Sequence, residues 1–134
     1  MTELAQVLDI ERTMMTMPQI EIPITGYFSK GVYAREMRVP KGCCFTGKIH
    51  KFANLNILSQ GEMSVSTDSG IQRVKAPFTI VAPAGSKRIG YAHEDCVWTT
   101  ILGTDETDTA LIEAEFTADS HEDYLRFTAQ IEGV

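Results

Sequence analysis

Three histidines (His50, His93, His121) and three cysteines (Cys43, Cys44, Cys96) are the side chains best suited to hold a metal or to act as base or nucleophile. They are scattered along the chain. Cys43 and Cys44 are adjacent, with no C-x-x-C spacing, so neither a disulfide framework nor a soft-metal site follows and buried thiols are expected. His50 stands alone in "GKIHKFANLNILSQGE". Its imidazole, with an ordinary pKa of about 6.5, can serve as metal ligand, general base or hydrogen-bonded wall residue. Lys87 and Arg88, in "PAGSKRIGY", offer the opposite chemistry. A guanidinium stays protonated, and its planar fork of donors matches a carboxylate or a phosphate.

Charge distribution supports an anion site in the middle of the chain. The net charge is −6. Residues 30–88 nevertheless hold ten Lys/Arg against Glu36, Glu62 and Asp68, whereas residues 94–134 hold eleven Asp/Glu against Arg126. A basic segment between acidic ends concentrates anions. The acidic total and the lack of a basic, aromatic stripe argue against a nucleic-acid polymer as partner.

The elements that must position these residues read as mostly β. Residues 3–16 carry Leu4, Val7, Leu8, Met14 and Met15 near helical spacing, predicting an amphipathic helix that ends before Pro18. From Gln19 to Leu102 the pattern turns to short alternating segments broken by Gly, Pro, Ser and Asp. Strands are predicted at 19–24, 31–39, 47–51, 54–59, 62–66, 71–75, 78–82, 87–92 and 96–102. "SQGE" and "TDSG" predict hairpin turns, and "PAGS" a type I turn with Pro83 second and Gly85 fourth. Many short strands imply a sandwich or barrel. Beyond residue 103 a helix through Leu111, Ile112 and Phe116 follows the acidic run Asp105 to Asp108, and Ser120 with Asp123 opens a last short helix through Tyr124, Leu125 and as far as Phe127. A length of 134 residues suits one domain, divided as helix 1–18, barrel 19–102 and helical segment 103–134. The charged start, with Glu3, Asp9, Glu11 and Arg12, is unlike a secretion signal, and no apolar run is long enough to span a membrane. A cytoplasmic protein with no membrane partner is expected.

Two stretches together resemble the cupin superfamily, whose members are small jelly-roll barrels. Gly42, His50, Phe52, Asn54 and Gly61 follow the spacing of its first motif, and Pro83, Gly85, Arg88 and Ala92 that of its second. The resemblance covers about residues 42–92. It implies a mainly β, double-stranded β-barrel in which Arg88 faces His50. Cupin metal sites resemble three imidazoles plus a carboxylate, and here Phe52, Asn54 and Arg88 occupy the positions of the other ligands. A neutral amide is a poor transition-metal ligand, phenylalanine is none and guanidinium has no lone pair to give. One imidazole does not hold zinc or iron. The resemblance therefore implies a metal-free, cofactor-free pocket of His50, Phe52, Asn54, Lys87, Arg88 and Tyr91 that takes a small anionic molecule. Trp98 offers a possible stacking face, although its strand "VWTTIL" predicts a core residue.

A longer stretch, through "PAGSKRIGYAHEDCVWTTILGTDETD" to "LIEAEF", resembles cupin-like proteins encoded by tailed bacteriophages. That resemblance implies either a virion component or a protein that sequesters a host metabolite or a nucleotide-type signal. Three kinds of function are thus expected. The first is a non-catalytic binder of a small anion such as a nucleotide. The second is a metal-independent sugar-nucleotide isomerase or epimerase with His50 as base and Tyr91 as acid. The third is a structural or assembly role built on the amino-terminal helix, with Met14, Met15 and Met17 as an adaptable contact. A homo-oligomer is compatible with all three.

Overall fold

A computed structural model describes residues 3–14, 16, 21–67 and 69–132. In chain order the first elements are α1 (Glu3–Met14), β1 (Ile24–Ser29), β2 (Val32–Val39), β3 (Cys44–Thr46), β4 (Ile49–His50), β5 (Asn54–Gln60) and β6 (Glu62–Thr67). They are followed by β7 (Gly70–Lys75), β8 (Phe78–Ala82), β9 (Ile89–Ala92), β10 (Cys96–Leu102), α2 (Thr109–Phe116), β11 (Thr117–Ala118) and α3 (His121–Glu132). The larger antiparallel sheet runs β1-β2-β10-β5-β8 and the smaller β3-β9-β6-β7, while β4 and β11 form a separate two-stranded ladder. Passing from β2 to β3, β5 to β6, β7 to β8, β8 to β9 and β9 to β10, the chain alternates between sheets, which is a jelly-roll arrangement.

Period-2 alternation sends one face of each strand inward, so the two sheets share a core. Met37, Leu58 and Trp98 of the larger sheet meet Phe45, Met63 and Val65 of the smaller. The Phe45 and Trp98 rings lie 6.3 Å apart across the gap. Each such side chain contributes about 1.5–3 kcal/mol when fully buried.

Several segments differ from the sequence expectation. The first strand is Ile24–Ser29 rather than 19–24: residues 21–23 are irregular, and 19 and 20 lie outside the described residues. β1 is exposed along all six residues, so it lacks the burial alternation that marks a strand and exists through its pairing with β2. β3, three residues long, was not expected at all, and of 47–51 only Ile49 and His50 are extended. Helix α1 ends at Met14; Met15, Met17 and Pro18 lie outside the described residues, as does Asp68 of the "TDSG" turn. In "PAGS" the turn is set one residue later, because Ser86 N–H donates to the Pro83 carbonyl and Gly85 takes φ +85°. A glycine at positive φ in the third position is the type II requirement. Asp108 caps α2 by accepting from Ala110 and Leu111 N–H, and Ser120 caps α3 by accepting from Asp123 N–H at 3.1 Å. α3 then continues to Glu132, past Phe127.

Candidate functional site

Between the sheets, beneath α2, lies a cavity of about 700 Å³. Strand register determines what lines it. On the inner face of the larger sheet Tyr33 pairs with Leu102, Arg35 with Thr100 and Thr100 with Asn56, and Met37 with Trp98 and Trp98 with Leu58. These form three successive rows, because residues two apart on a strand share a face. The lowest row belongs to the packed core. The uppermost is covered by Ile112 of α2, which clusters with Tyr33 and Leu102. Between two apolar rows runs a single polar belt, Arg35–Thr100–Asn56.

That belt is partly fixed by its own hydrogen bonds. Thr100 Oγ1 donates to Asn56 Oδ1 at 2.8 Å, and Asn56 Nδ2 donates to Asn54 Oδ1 at 2.7 Å. Arg35 differs. Among the described residues its guanidinium makes no ion pair and no hydrogen bond, although it faces the cavity. The rim carboxylate Glu113 is instead 2.9 Å from Lys48 Nζ, which also meets Asp119 at 2.8 Å.

His50 and Arg88 face the belt from the opposite wall. The backbone clamps His50 on both sides: its N–H donates to the Ser86 carbonyl at 3.0 Å and its carbonyl accepts from Gly85 N–H at 2.8 Å. Thr117 of β11 pairs with it in the short ladder. The imidazole is pushed down to a pKa of about 4 by burial first, then by the positive charges of Arg35 and Arg88. It is therefore neutral at pH 7. Its Nδ1 is buried without a hydrogen-bond partner among the described residues. Arg88 is 5% exposed and donates from Nη1 to the Ser66 carbonyl at 2.5 Å.

The residues expected together are thus divided. His50 and Arg88 share the cavity. Asn54 sits one hydrogen bond behind it, orienting Asn56. Phe52 packs outside the cavity, edge-on to Phe116 and Phe127 at 5.7 and 5.4 Å. Lys87, next to Arg88 in the irregular segment before β9, does not line the cavity, and its ammonium lies 2.8 Å from Glu11 of α1. Burial alone would raise the Glu11 pKa, but hydrogen bonds from Lys87 and Thr46 hold it below the ordinary value. Tyr91 stands on the outer face, 41% exposed, its ring 5.0 Å from that of His93. Trp98 is buried in the cavity floor and core together. His93 lies 2.7 Å from Ser64 Oγ and His121 starts α3, so neither imidazole joins His50.

Arg35, Asn56 and Thr100 escaped the sequence reading. A signal for Arg35 was present: in "VYAREMRV" it occupies the phase of Tyr33, Met37 and Val39, a cation on the apolar face of a strand. These side chains do not fit a bound cation, since two guanidiniums flank the single imidazole. Among the described residues no group of three or more His, Cys, Asp or Glu could hold a metal ion.

At the level of sequence, no family model and no curated protein matches the chain. Solved structures do. KdgF from Halomonas sp. superposes with a TM-score of 0.56 at 15% identity, over 69% of this chain and 90% of that one. An RmlC-like cupin from Shewanella frigidimarina gives 0.54 at 16%, over 68% and 89%. An acetylacetone dioxygenase from Acinetobacter johnsonii gives 0.52 at 17%, over 65% and 66%. At such identity the likeness lies in the backbone and its topology, and on that ground the chain has the cupin fold.

Proposed function

We propose that the cavity binds a small organic anion and does not transform it. The observation that carries this reading is the Arg35 guanidinium, which faces a cavity of about 700 Å³ and has no carboxylate partner among the described residues. Arg35 is partly buried; a partly desolvated cation without a counter-ion is unfavourable, and an entering anion offsets that. The volume suits a small molecule, and walls that are mostly apolar with a few oriented polar groups are typical of binding pockets. Nucleotide-type ligands are one member of this class, with Tyr33 or Phe116 available to a base. If the protein is phage-encoded, binding of this kind amounts to sequestering a host metabolite or signal.

Proton abstraction is less well supported. With a pKa of about 4, His50 is a weak base, and among the described residues no carboxylate bonds to it to strengthen it. Tyr91, the expected acid, is on the outer face. The acetylacetone dioxygenase shares the fold, but a fold does not transfer chemistry. Pairing of copies along the exposed β1 edge is a further proposal, supported by the unpaired side of that strand. Three free cysteines support residence in a reducing compartment such as the cytoplasm.

A thermal-shift panel of carboxylates, sugar phosphates and nucleotides tests the reading. A ligand at a hundred times its Kd stabilises by about 2.7 kcal/mol. That corresponds to a rise of several degrees in Tm for a chain of this size. If no anion raises Tm at millimolar concentration, the cavity is not an anion site.

A further inference from the structure

The vertical order of the rows specifies more than charge. We infer that the occupant is a monocarboxylate with a compact apolar body, its carboxylate on Arg35 beside His50 and its body under α2; this rests on the anion-binding reading above. Four observations carry it. First, the polar belt is one row deep, with the packed core beneath it and Tyr33, Leu102, Ile112 and Phe116 above. An entering molecule therefore meets Arg35, Thr100 and Asn56 at the bottom and these apolar side chains above, with Lys48, Thr109, Glu113 and Thr117 completing the lining toward α2 and β11. Second, of the two guanidiniums that line the cavity, Arg88 is engaged by the Ser66 carbonyl, whereas Arg35 lacks a counter-ion among the described residues and is the one placed to take a carboxylate. A planar guanidinium and a planar carboxylate share two parallel N–H···O bonds, a geometry with high directional selectivity. Third, Thr100 Oγ1 already donates to Asn56 and Asn56 Nδ2 to Asn54, so the belt holds few further donors for a doubly or triply charged phosphate. Fourth, neutral His50 has an unpartnered buried Nδ1. It can meet a hydroxyl or amide N–H next to the carboxylate without adding charge.

The apolar collar of Tyr33, Leu102, Ile112 and Phe116 argues against a nucleotide. A purine or pyrimidine carries several donors and acceptors on its edge, and each one buried without a partner costs about 1–3 kcal/mol. Tyr33 supplies the one hydroxyl among these four, and Thr109 and Thr117 are the other hydroxyls toward α2 and β11. A hydrocarbon or aromatic body has no such requirement. It gains affinity from every methylene it places there.

The test is isothermal titration of the full chain with straight-chain acids of four to eight carbons and with phenyl-substituted acids. The matching primary amides and AMP serve as comparisons. Affinity is expected to rise roughly fourfold per added methylene until the collar is filled. Each amide should bind at least about tenfold more weakly than its acid, as expected for loss of a charged hydrogen-bond partner. Arg35→Met should abolish the acid-over-amide preference. Because it removes a partly buried cation with no counter-ion among the described residues, it should leave the unliganded protein folded with an unchanged or higher Tm. Arg35→Lys retains charge without the fork and should weaken acids about tenfold, giving a second readout should Arg35→Met not fold. Binding of AMP with no binding of the acids overturns this inference and leaves the anion reading standing. Equal affinity for acid and amide overturns both, as does failure of every anion to bind.

Discussion

Acidification isolates the contribution of His50. In the unfolded chain this imidazole takes up a proton at a pKa of about 6.5, whereas in the folded protein burial and the two guanidiniums delay uptake to about 4. Between those values the unfolded state binds more protons, so stability falls as pH falls. Above pH 6.5 neither state is charged at this residue and nothing is lost; below about 4 both are charged and the loss stops growing. The interval of 2.5 pKa units, at 1.36 kcal/mol per unit, corresponds to about 3 kcal/mol, of which about 2.5 is lost between pH 7 and pH 4.5. That is a large part of a stability of about 5–15 kcal/mol. Urea unfolding followed by the fluorescence of the one tryptophan, buried Trp98, reports it. The comparison is wild type against His50→Gln at both pH values. Carboxylates such as Glu11 titrate in both proteins and cancel. The variant should lose about 2.5 kcal/mol less than wild type on acidification. The same loss in both, or an NMR titration placing the His50 ring near 6.5, refutes the placement of the imidazole between Arg35 and Arg88. A linked outcome follows by reciprocity: an anion on Arg35 offsets the field that depresses His50, so ligand affinity should increase as pH drops from 7 to 5.5.

Two other substitutions probe the scaffold. Lys87→Met removes the cationic partner of Glu11 and leaves only the Thr46 hydroxyl on a partly buried carboxylate, loosening α1 at a cost of about 1–3 kcal/mol; limited proteolysis should cut α1 sooner, while anion affinity stays unchanged, and a parallel loss of affinity would show that Lys87 reaches the ligand. Gly61→Ala places a Cβ 2.5 Å from the Asp95 carbonyl and 2.7 Å from Cys96 Sγ at φ +91°, so a loss of roughly 2–4 kcal/mol in urea unfolding is expected and a change below about 0.5 contradicts the turn geometry.

Much of the scaffold could be read from consecutive residues. The strands at 78–82 and 96–102 have the predicted bounds because their apolar alternation lies within five to seven adjacent positions. The Ser120 cap was legible for the same reason, as a hydroxyl three residues before the N–H it accepts. β1 and β3 were not, since one is exposed throughout and the other is three residues long, and both owe their extension to partners distant in sequence.

The site divides along the same line. His50 and Arg88 could be selected by residue type and spacing, and Arg35 bore a detectable mark in its inward phase. What they do depends on the fold. Which of Lys87 and Arg88 lines the cavity is decided by partners remote in sequence, since Glu11 of α1 claims Lys87 and the Ser66 carbonyl holds Arg88. The meeting of Arg35 with Thr100 and Asn56 requires β2, β10 and β5 to pair in one register. A slip of one residue in β2 would turn Arg35 to solvent and present Glu36 to the cavity. Local pattern could assign each residue to a strand face, because that periodicity is set by neighbouring backbone dihedrals. Register between strands remote in sequence is selected by packing of the shared core, and only there did a row of one charge between two apolar rows come into being.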